Sequence, residues 1–318
     1  LCGPMTTEKK QWTVYCNAFW PGFLEGTDPV TVGFFLKLLS TALGPEASVS
    51  VTRDPAAADI LLESLFGTSI LTTRTWTYTV FFSGECRICP QYRDYDCVLW
   101  GEMPADSHDN VVCCPEFVPY LYSTGLLAPL EERSQQFREM PPRLPPGLAR
   151  VCTVISNPRG PDRNRFLDIL ERYVPVDYGG QFRTNIPRIQ APYTCAEFRN
   201  IIGQYRFTLA MENSRGGHYV TEKITHALLT GTVPIYWGAP HVTTYFNPDR
   251  FIHIHELDEE GIGSAINDVL TLATDDEAYQ ERIAQPVFMD ASGNPSHRLS
   301  RTLDAIAADM GAVLRRRK

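Results

Sequence analysis

The stretch Phe207-Thr-Leu-Ala-Met-Glu212-Asn213-Ser-Arg-Gly-Gly217-His-Tyr219-Val-Thr-Glu222-Lys223 decides the architecture. It starts as an apolar strand over 207–211, passes through a glycine-bearing loop, and enters a helix over 222–230. Thr221 is the expected N-cap and Gly231 the stop, because a hydroxyl favours the first position and a glycine the second. Ile224, Ala227 and Leu228 fall on the inward face of that helix, and 233–237 reads as the next strand. The first N–H groups of a helix have no internal partner, so its start suits a phosphate. An acid such as Glu222 complements the helix dipole there. Lys223 opposes it at a cost of about 0.3–1 kcal/mol, which a bound pyrophosphate would reverse.

The same grammar recurs upstream. Residues 151–155 read as a β-branched strand, Ser156-Asn157-Pro158-Arg159-Gly160-Pro161 as a loop, and 163–173 as a helix with Phe166, Ile169, Leu170 and Tyr173 on one face. Arg159, Arg163 and Arg165 flank its start. Open α/β sheets bind ligands beyond the carboxyl ends of their strands. Two such corners, each offering cations at one edge, would clamp a diphosphate from two sides. The N-terminal half alternates in the same way: strands over 12–16, 59–62, 77–82 and 96–100, and a helix over 31–43 closed by Gly44-Pro45. This alternation predicts an α/β fold with parallel sheets. The proline-rich run 139–150 continues neither helix nor strand and reads as a linker. The expected division is therefore 1–145 and 146–318, with a cleft between two sheets and an amphipathic helix over 300–317.

Composition narrows the function classes. The chain has 318 residues, 43% hydrophobic and 21% charged, with a net charge of −8. That balance disfavours nucleic acid and anionic membrane surfaces as partners. The basic run Arg315-Arg316-Arg317-Lys318 is read as a solvated tail, with a peripheral membrane contact as the alternative. No segment reaches the ~20 apolar residues of a membrane span. Leu1-Cys2-Gly3-Pro4 before Met5 reads as the edge of a longer chain. That leaves open an anchor ahead of it, and two compartments: cytoplasm, or Golgi lumen if an anchor was removed. Nine cysteines are present, five of them between Cys86 and Cys114. Free thiols, disulfides and a zinc knuckle at Cys86-x-x-Cys89 are the three readings. Asp94-x-Asp96 carries a weaker metal reading, and no Asn-x-Ser/Thr acceptor occurs.

Glu212-Asn213-Ser214, Tyr219 to Lys223, Gly231-Thr-Val-Pro-Ile-Tyr-Trp-Gly-Ala-Pro240 and Phe246-Asn247-Pro248 together resemble the signature of the α-1,3/1,4-fucosyltransferases, with the closer likeness to bacterial members that build Lewis-type antigens. Weaker likeness covers Ser156-Asn157, Arg163-Asn164, Asp177-Tyr-Gly-Gly180 and Gly84-Glu85, over 55–290 in all. The resemblance implies a GT-B architecture of two Rossmann-like domains, acceptor contacts N-terminal and GDP-fucose C-terminal. It implies that Arg163 and Lys223 bind the pyrophosphate. Tyr219 and Glu222 would contact the ribose or sugar, Asn213 and Asn157 would line the donor pocket, and Gly180 is a further candidate. Glu85 would be the catalytic base, with Glu222 also placed in the catalytic set. No cofactor is implied beyond the donor substrate, and a divalent metal is not indicated.

The chemistry asks for these residue types independently. An inverting transfer needs one carboxylate to take the acceptor's hydroxyl proton and positive charge to hold the departing diphosphate. Glu212 is the rival base. The chain departs from the family in its cysteine-rich run after Glu85, and the vertebrate His-His-x-x-x-Trp acceptor motif and the bacterial heptad tail are missing. The implied reaction is transfer to a glycan hydroxyl, α-1,3 to GlcNAc or Glc of an N-acetyllactosamine-like unit. Another nucleotide sugar on the same fold, or a non-catalytic glycan-binding protein, are the alternatives.

Overall fold

A computed structural model describes residues 10–102, 109–139 and 149–317. Strands buried on both faces need continuous apolar runs rather than alternation. Ile60–Glu63 and Tyr78–Ser83 are buried at every position and form the middle of the first sheet. Its strands are β1 (Lys10–Asn17), β2 (Ala47–Val51), β3 (Ile60–Glu63), β4 (Tyr78–Ser83), β5 (Cys97–Trp100) and β6 (Val111–Cys113). They lie in the order β2-β1-β3-β4-β5-β6, every pair parallel. The second sheet holds β7 (Val151–Thr153), β8 (Val176–Tyr178), β9 (Phe207–Met211), β10 (Val233–Trp237) and β11 (Ile252–His253). Its order is β11-β10-β9-β7-β8, again all parallel.

Each sheet reverses its direction of growth once, between β1 and β3 and between β7 and β9. At such a point the loops leaving the two strands diverge and open a crevice at their carboxyl ends. The expected α/β class with two Rossmann-like sheets is thus met. The helices are α1 (Val32–Leu43), α2 (Phe117–Ser123), α3 (Leu127–Glu139), α4 (Pro161–Leu170), α5 (Ala196–Ile202), α6 (Glu222–Thr230), α7 (Glu259–Thr274), α8 (Asp276–Ile283) and α9 (Leu303–Arg316).

The chain folds as two compact units, one running up to Thr124 and resuming at Arg301, the other running from Gly125 to Ser300. This division differs from 1–145 and 146–318 in two places. Helix α3 packs on α6, with Phe137 against Gly231, and its Ser134 Oγ accepts the Val287 N–H at 3.0 Å, so it belongs to the second unit. Helix α9 turns its buried face, including Ile306 and Met310, onto α1 of the first unit. Gly311 permits that approach, since a Cβ there would lie 2.7 Å from the Ala42 carbonyl oxygen. Most of the proline-rich linker, 140–148, and Lys318 of the basic tail lie outside the described residues.

Helix α4 is shorter than expected. It starts at Pro161, a residue preset for the first helical position, and ends at Leu170. Phe166, Leu167 and Leu170 are buried, while Tyr173, expected on the inner face, lies beyond the helix end and is 57% exposed.

Gly180, two residues past β8, sits against the backbone of Ile155 just past β7. A Cβ there would come within 2.7 Å of the Ile155 carbonyl carbon and closer still to its nitrogen and oxygen. Backbone cannot retreat as a flexible side chain can. Gly180→Ala is therefore expected to destabilise the protein by about 3 kcal/mol or more, the upper range for overpacking. Urea denaturation checks this, and a variant within 0.5 kcal/mol or so of the parent would contradict it.

Candidate functional site

The crevice at the β7/β9 reversal is a cavity of about 240 Å³. Its lining brings together Asn157, Arg159 and Arg163 from the first corner and Asn213, Glu222 and Lys223 from the second. Five of the residues expected from sequence therefore share one cavity: Asn157, Arg163, Asn213, Glu222 and Lys223. Arg165, the third arginine of that corner, points elsewhere and donates to the Leu257 carbonyl at 3.2 Å.

Glu212 organises the second corner. It follows β9 directly and is 0% exposed. Its Oε1 accepts the Thr221 N–H at 2.8 Å, its Oε2 accepts the Thr221 hydroxyl at 2.7 Å, and Lys223 Nζ lies 3.1 Å from Oε2. Thr221 does occupy the N-cap of α6, but its hydroxyl caps nothing in the helix. It is committed to Glu212 instead. Gly238, at φ +155°, leaves room for the glutamate, since a Cβ there would fall 2.8 Å from the Glu212 Cβ. Burial pushes the Glu212 carboxyl up, more than Lys223 pulls it down. Buried between strand and helix, Glu212 holds the corner together rather than standing in the cavity as a base.

The same contacts revise the role of Lys223. Its ammonium is offset by Glu212 and by Glu222 at 3.5 Å, and accepts no helix-dipole penalty unaided. Burial alone would pull its pKa down, but the two carboxylates outweigh that and hold it above the ordinary lysine value. Glu222 moves the other way: burial raises it, and Lys223 and His226 bring it below the ordinary value.

Arg163 is a buried cation without a counter-charge among the described residues. It is 6% exposed and forms no ion pair among the described residues. One guanidinium nitrogen donates to the carbonyls of Asn157 at 2.8 Å and Arg159 at 3.1 Å, and Nε is buried with no hydrogen-bond partner. Burial, then the neighbouring Arg183, depress its pKa. A guanidinium held this way is short of an anion. Asn157 fixes the loop through its side chain, whose oxygen accepts the Arg159 N–H at 2.9 Å. Tyr219 is buried and donates to Asn213 Oδ1 at 3.2 Å, supporting the cavity wall from behind.

Glu85 lies in the first unit, after β4, and lines a separate cavity there. Its carbonyl accepts the Trp100 Nε1–H at 2.9 Å and its N–H donates to Ser83 Oγ at 3.3 Å, so the backbone carrying it is fixed. The sequence reading missed Tyr193 and His226, which stack at 5.0 Å and wall the β7/β9 cavity. For His226 the signal was present: it lies four residues after Glu222 and hence on the same helix face. Tyr193 sits in an irregular segment and offered none.

Asp96 Oδ2 accepts the Thr79 N–H at 2.8 Å and hydroxyl at 3.0 Å, so it ties β5 to β4 rather than waiting for a cation. The eight described cysteines are free thiols. Among the described residues no group of three or more His, Cys, Asp or Glu is placed to hold a metal ion. His218 forms a hydrogen bond with Tyr245 at 2.8 Å, and Tyr236 and Trp237 are core residues.

A parallel-sheet unit with a cationic, helix-bounded crevice at its reversal point is an arrangement suited to a phosphate-bearing ligand. Residues 148–283 match the family model described as glycosyltransferase family 10 (fucosyltransferase) C-term. Over this segment the chain is similar to that family. It is 34% identical over 228 residues to the alpha-(1,3)-fucosyltransferase FucT of Helicobacter pylori, covering 64% of this chain and 46% of that protein. It is 38% identical over 150 residues to alpha-(1,3)-fucosyltransferase 4 of Bos taurus, covering 44% and 34%. With the human GDP-fucose protein O-fucosyltransferase 3 it shares 30% over 154 residues, covering 45% and 31%. The chain thus spans less than half the length of these curated relatives. A crystal structure of an alpha1,3-fucosyltransferase with GDP-fucose aligns over 99% of this chain and 94% of that one, with a TM-score of 0.73 and 20% identity.

The buried imidazole of His226 generates a pH prediction. Burial, opposed by Glu222 and reinforced by Lys223, pushes its pKa down to about 4, below the ordinary 6.5. The unfolded chain then binds the proton more readily than the folded one. The contribution of the neutral ring is complete above pH ~6.5 and is lost as pH falls toward 4. Stability from urea titrations should decline across that window, and His226→Gln should flatten the decline by an amount on the order of 1–3 kcal/mol. Parallel pH profiles for parent and variant would refute the assignment.

Proposed function

We propose that the chain transfers L-fucose from GDP-β-L-fucose to a hydroxyl of a glycan acceptor, with inversion. The observation that carries this reading is Arg163: a buried guanidinium with an unpartnered Nε and no counter-charge, lining the cavity that Lys223 and Glu222 share. In this reaction the acceptor oxygen bonds to the anomeric carbon as the bond from that carbon to the β-phosphate oxygen breaks. The hydroxyl proton passes to Glu85. The charge left on GDP is met by Arg163 and by Lys223, whose ammonium stays protonated throughout. These cations supply the leaving-group charge in this reading, which calls for no cofactor beyond the donor. The family match and the likeness to a fucosyltransferase crystallised with GDP-fucose support the donor. The relatives named alpha-(1,3)-fucosyltransferase support an α-1,3 linkage, and an N-acetyllactosamine-like unit is the acceptor in this reading. A second acceptor reading, a polypeptide hydroxyl, has its support in the relatives named GDP-fucose protein O-fucosyltransferase 3.

Arg163→Ala is expected to weaken GDP binding at least tenfold by calorimetry and to lower turnover by ~10²–10³-fold, the usual effect of losing one transition-state clamp. Unchanged affinity would remove Arg163 from the donor site. Glu85→Gln is expected to keep GDP affinity while losing ~10²–10⁴-fold in turnover. Parent-like turnover in that variant would refute its role as base. Release of GDP from GDP-fucose, compared with N-acetyllactosamine or a serine-bearing peptide as co-substrate, separates the two acceptor readings.

A further inference from the structure

The second sheet carries buried arginines at its amino edge as well, the edge opposite the cavity at the β7/β9 reversal. Two of them stand just ahead of strands. Arg206, before β9, is 8% exposed and is provided for: it pairs with Asp276 and donates to the carbonyls of Leu272 at 2.9 Å and Ala273 at 3.0 Å. Arg250, before β11, is 0% exposed and is not provided for. Its Nη1 donates to the Thr232 carbonyl at 3.1 Å, while Nε and Nη2 are buried with no hydrogen-bond partner among the described residues.

The charges around Arg250 make its position worse. Arg133 on α3 and Arg282 on α8 are the cations that act on it, and none of the three forms an ion pair among the described residues. Burial lowers the Arg250 pKa to about 10, with Tyr279 opposing the fall and Arg133 and Arg282 adding to it, so the guanidinium stays charged at neutral pH. Arg133 has a buried, unpartnered Nε of its own. Arg282 Nη1 donates to the Phe251 carbonyl at 3.0 Å. A buried cation with open donors and no counter-charge is strongly unfavourable.

We propose that Arg250, Arg133 and Arg282 form a site for a free tetrahedral oxyanion, phosphate or sulfate, at the amino edge of the second sheet. The open donors select the ligand. Nε and Nη2 lie on one edge of a guanidinium, the edge whose parallel N–H groups take two oxygens of an oxyanion at once. A tetrahedral ion fills that edge and keeps two oxygens for Arg133 and Arg282. A carboxylate has no oxygens left over, and a halide has one centre for two donors. Entry is through the rim. Arg133 and Arg282 are half-buried, and Arg133 Nη2 is 3.5 Å from the Thr230 carbonyl, at the limit of a hydrogen bond, so that side chain moves aside at little cost. Arg250 itself is fully enclosed, which leaves no room for a substituent on the ion. The site is independent of the donor reading, since Arg163 and Lys223 stand at the other edge of the sheet.

Melting temperatures at constant low ionic strength test this with inorganic phosphate, sulfate, chloride and glycerol phosphate as probes. Phosphate and sulfate should raise the melting temperature by about 2–4 °C over chloride. Arg250→Met should fold and lose that rise, because an apolar replacement of a buried charge is often tolerated. Arg163→Ala should keep it. Arg282→Gln, at a half-buried position, should weaken phosphate binding on the order of tenfold by calorimetry, and it decides the matter if Arg250→Met does not fold. An equal rise with chloride, a rise that survives Arg250→Met, or parent-like phosphate affinity in Arg282→Gln would overturn the proposal. So would a rise lost in Arg163→Ala but kept in Arg250→Met, which would put the ion in the donor cavity. A response to glycerol phosphate equal to that of phosphate would overturn the assignment to a free ion.

Discussion

The second unit is organised around a carboxylate that water never reaches. A buried charge is tolerated only when its acceptor sites are filled and its charge offset. Glu212 meets both conditions through Thr221 and Lys223. Those contacts set where α6 begins, which way Lys223 leans and why Gly238 has no side chain. The loop between Asn213 and Tyr219 spans the two ends that Glu212 ties together. With that anchor in place, Lys223 is compensated before any ligand binds, and Arg163 is left as a buried cation short of an anion. The asymmetry assigns the two cations different work, one positioned within a network and one open to a newcomer.

Much of this was legible in the sequence. The strands at 207–211 and 233–237 and the helix at 222–230 carry apolar periodicity bounded by a cap residue and a glycine, and they fall at β9, β10 and α6. The clustering of Asn157, Arg163, Asn213, Glu222 and Lys223 was legible too, because a parallel sheet brings the ends of neighbouring strands together whatever lies between them in sequence. Partnership was not legible. Glu212 read as a rival base because an acid at a strand end has no mark of burial. Thr221 read as a helix cap because the type of residue predicts its position but not the target of its hydroxyl. Helix α3 was not placed at all, since its exposed face is strongly polar and its few inward residues show no clear stripe.

The two units solve one topological problem with different chemistry. In both, the crevice opens where the strand order reverses. In the second it is bounded by a helix start and cations, suited to phosphate. In the first it is bounded by aromatic rings and carboxylates. In both, a fully buried glutamate at or just past a strand end fixes the loops that shape the opening: Glu63 accepts from Asn17 Nδ2 and the Ile70 N–H, and Glu212 from Thr221. Neither is offered to the cavity as a reactive group. Each trades an ionisable side chain for rigidity in the backbone around it.

The return of α9 to α1 bears on how the molecule is made. The chain leaves the first unit at Thr124 and comes back only at Arg301. Vectorial synthesis usually lets the N-terminal part of a protein fold first. Here every residue of the second unit has been added before the helix that covers α1 exists. The first unit to emerge is therefore the last to be completed, and its apolar face must wait, uncovered, while its neighbour folds.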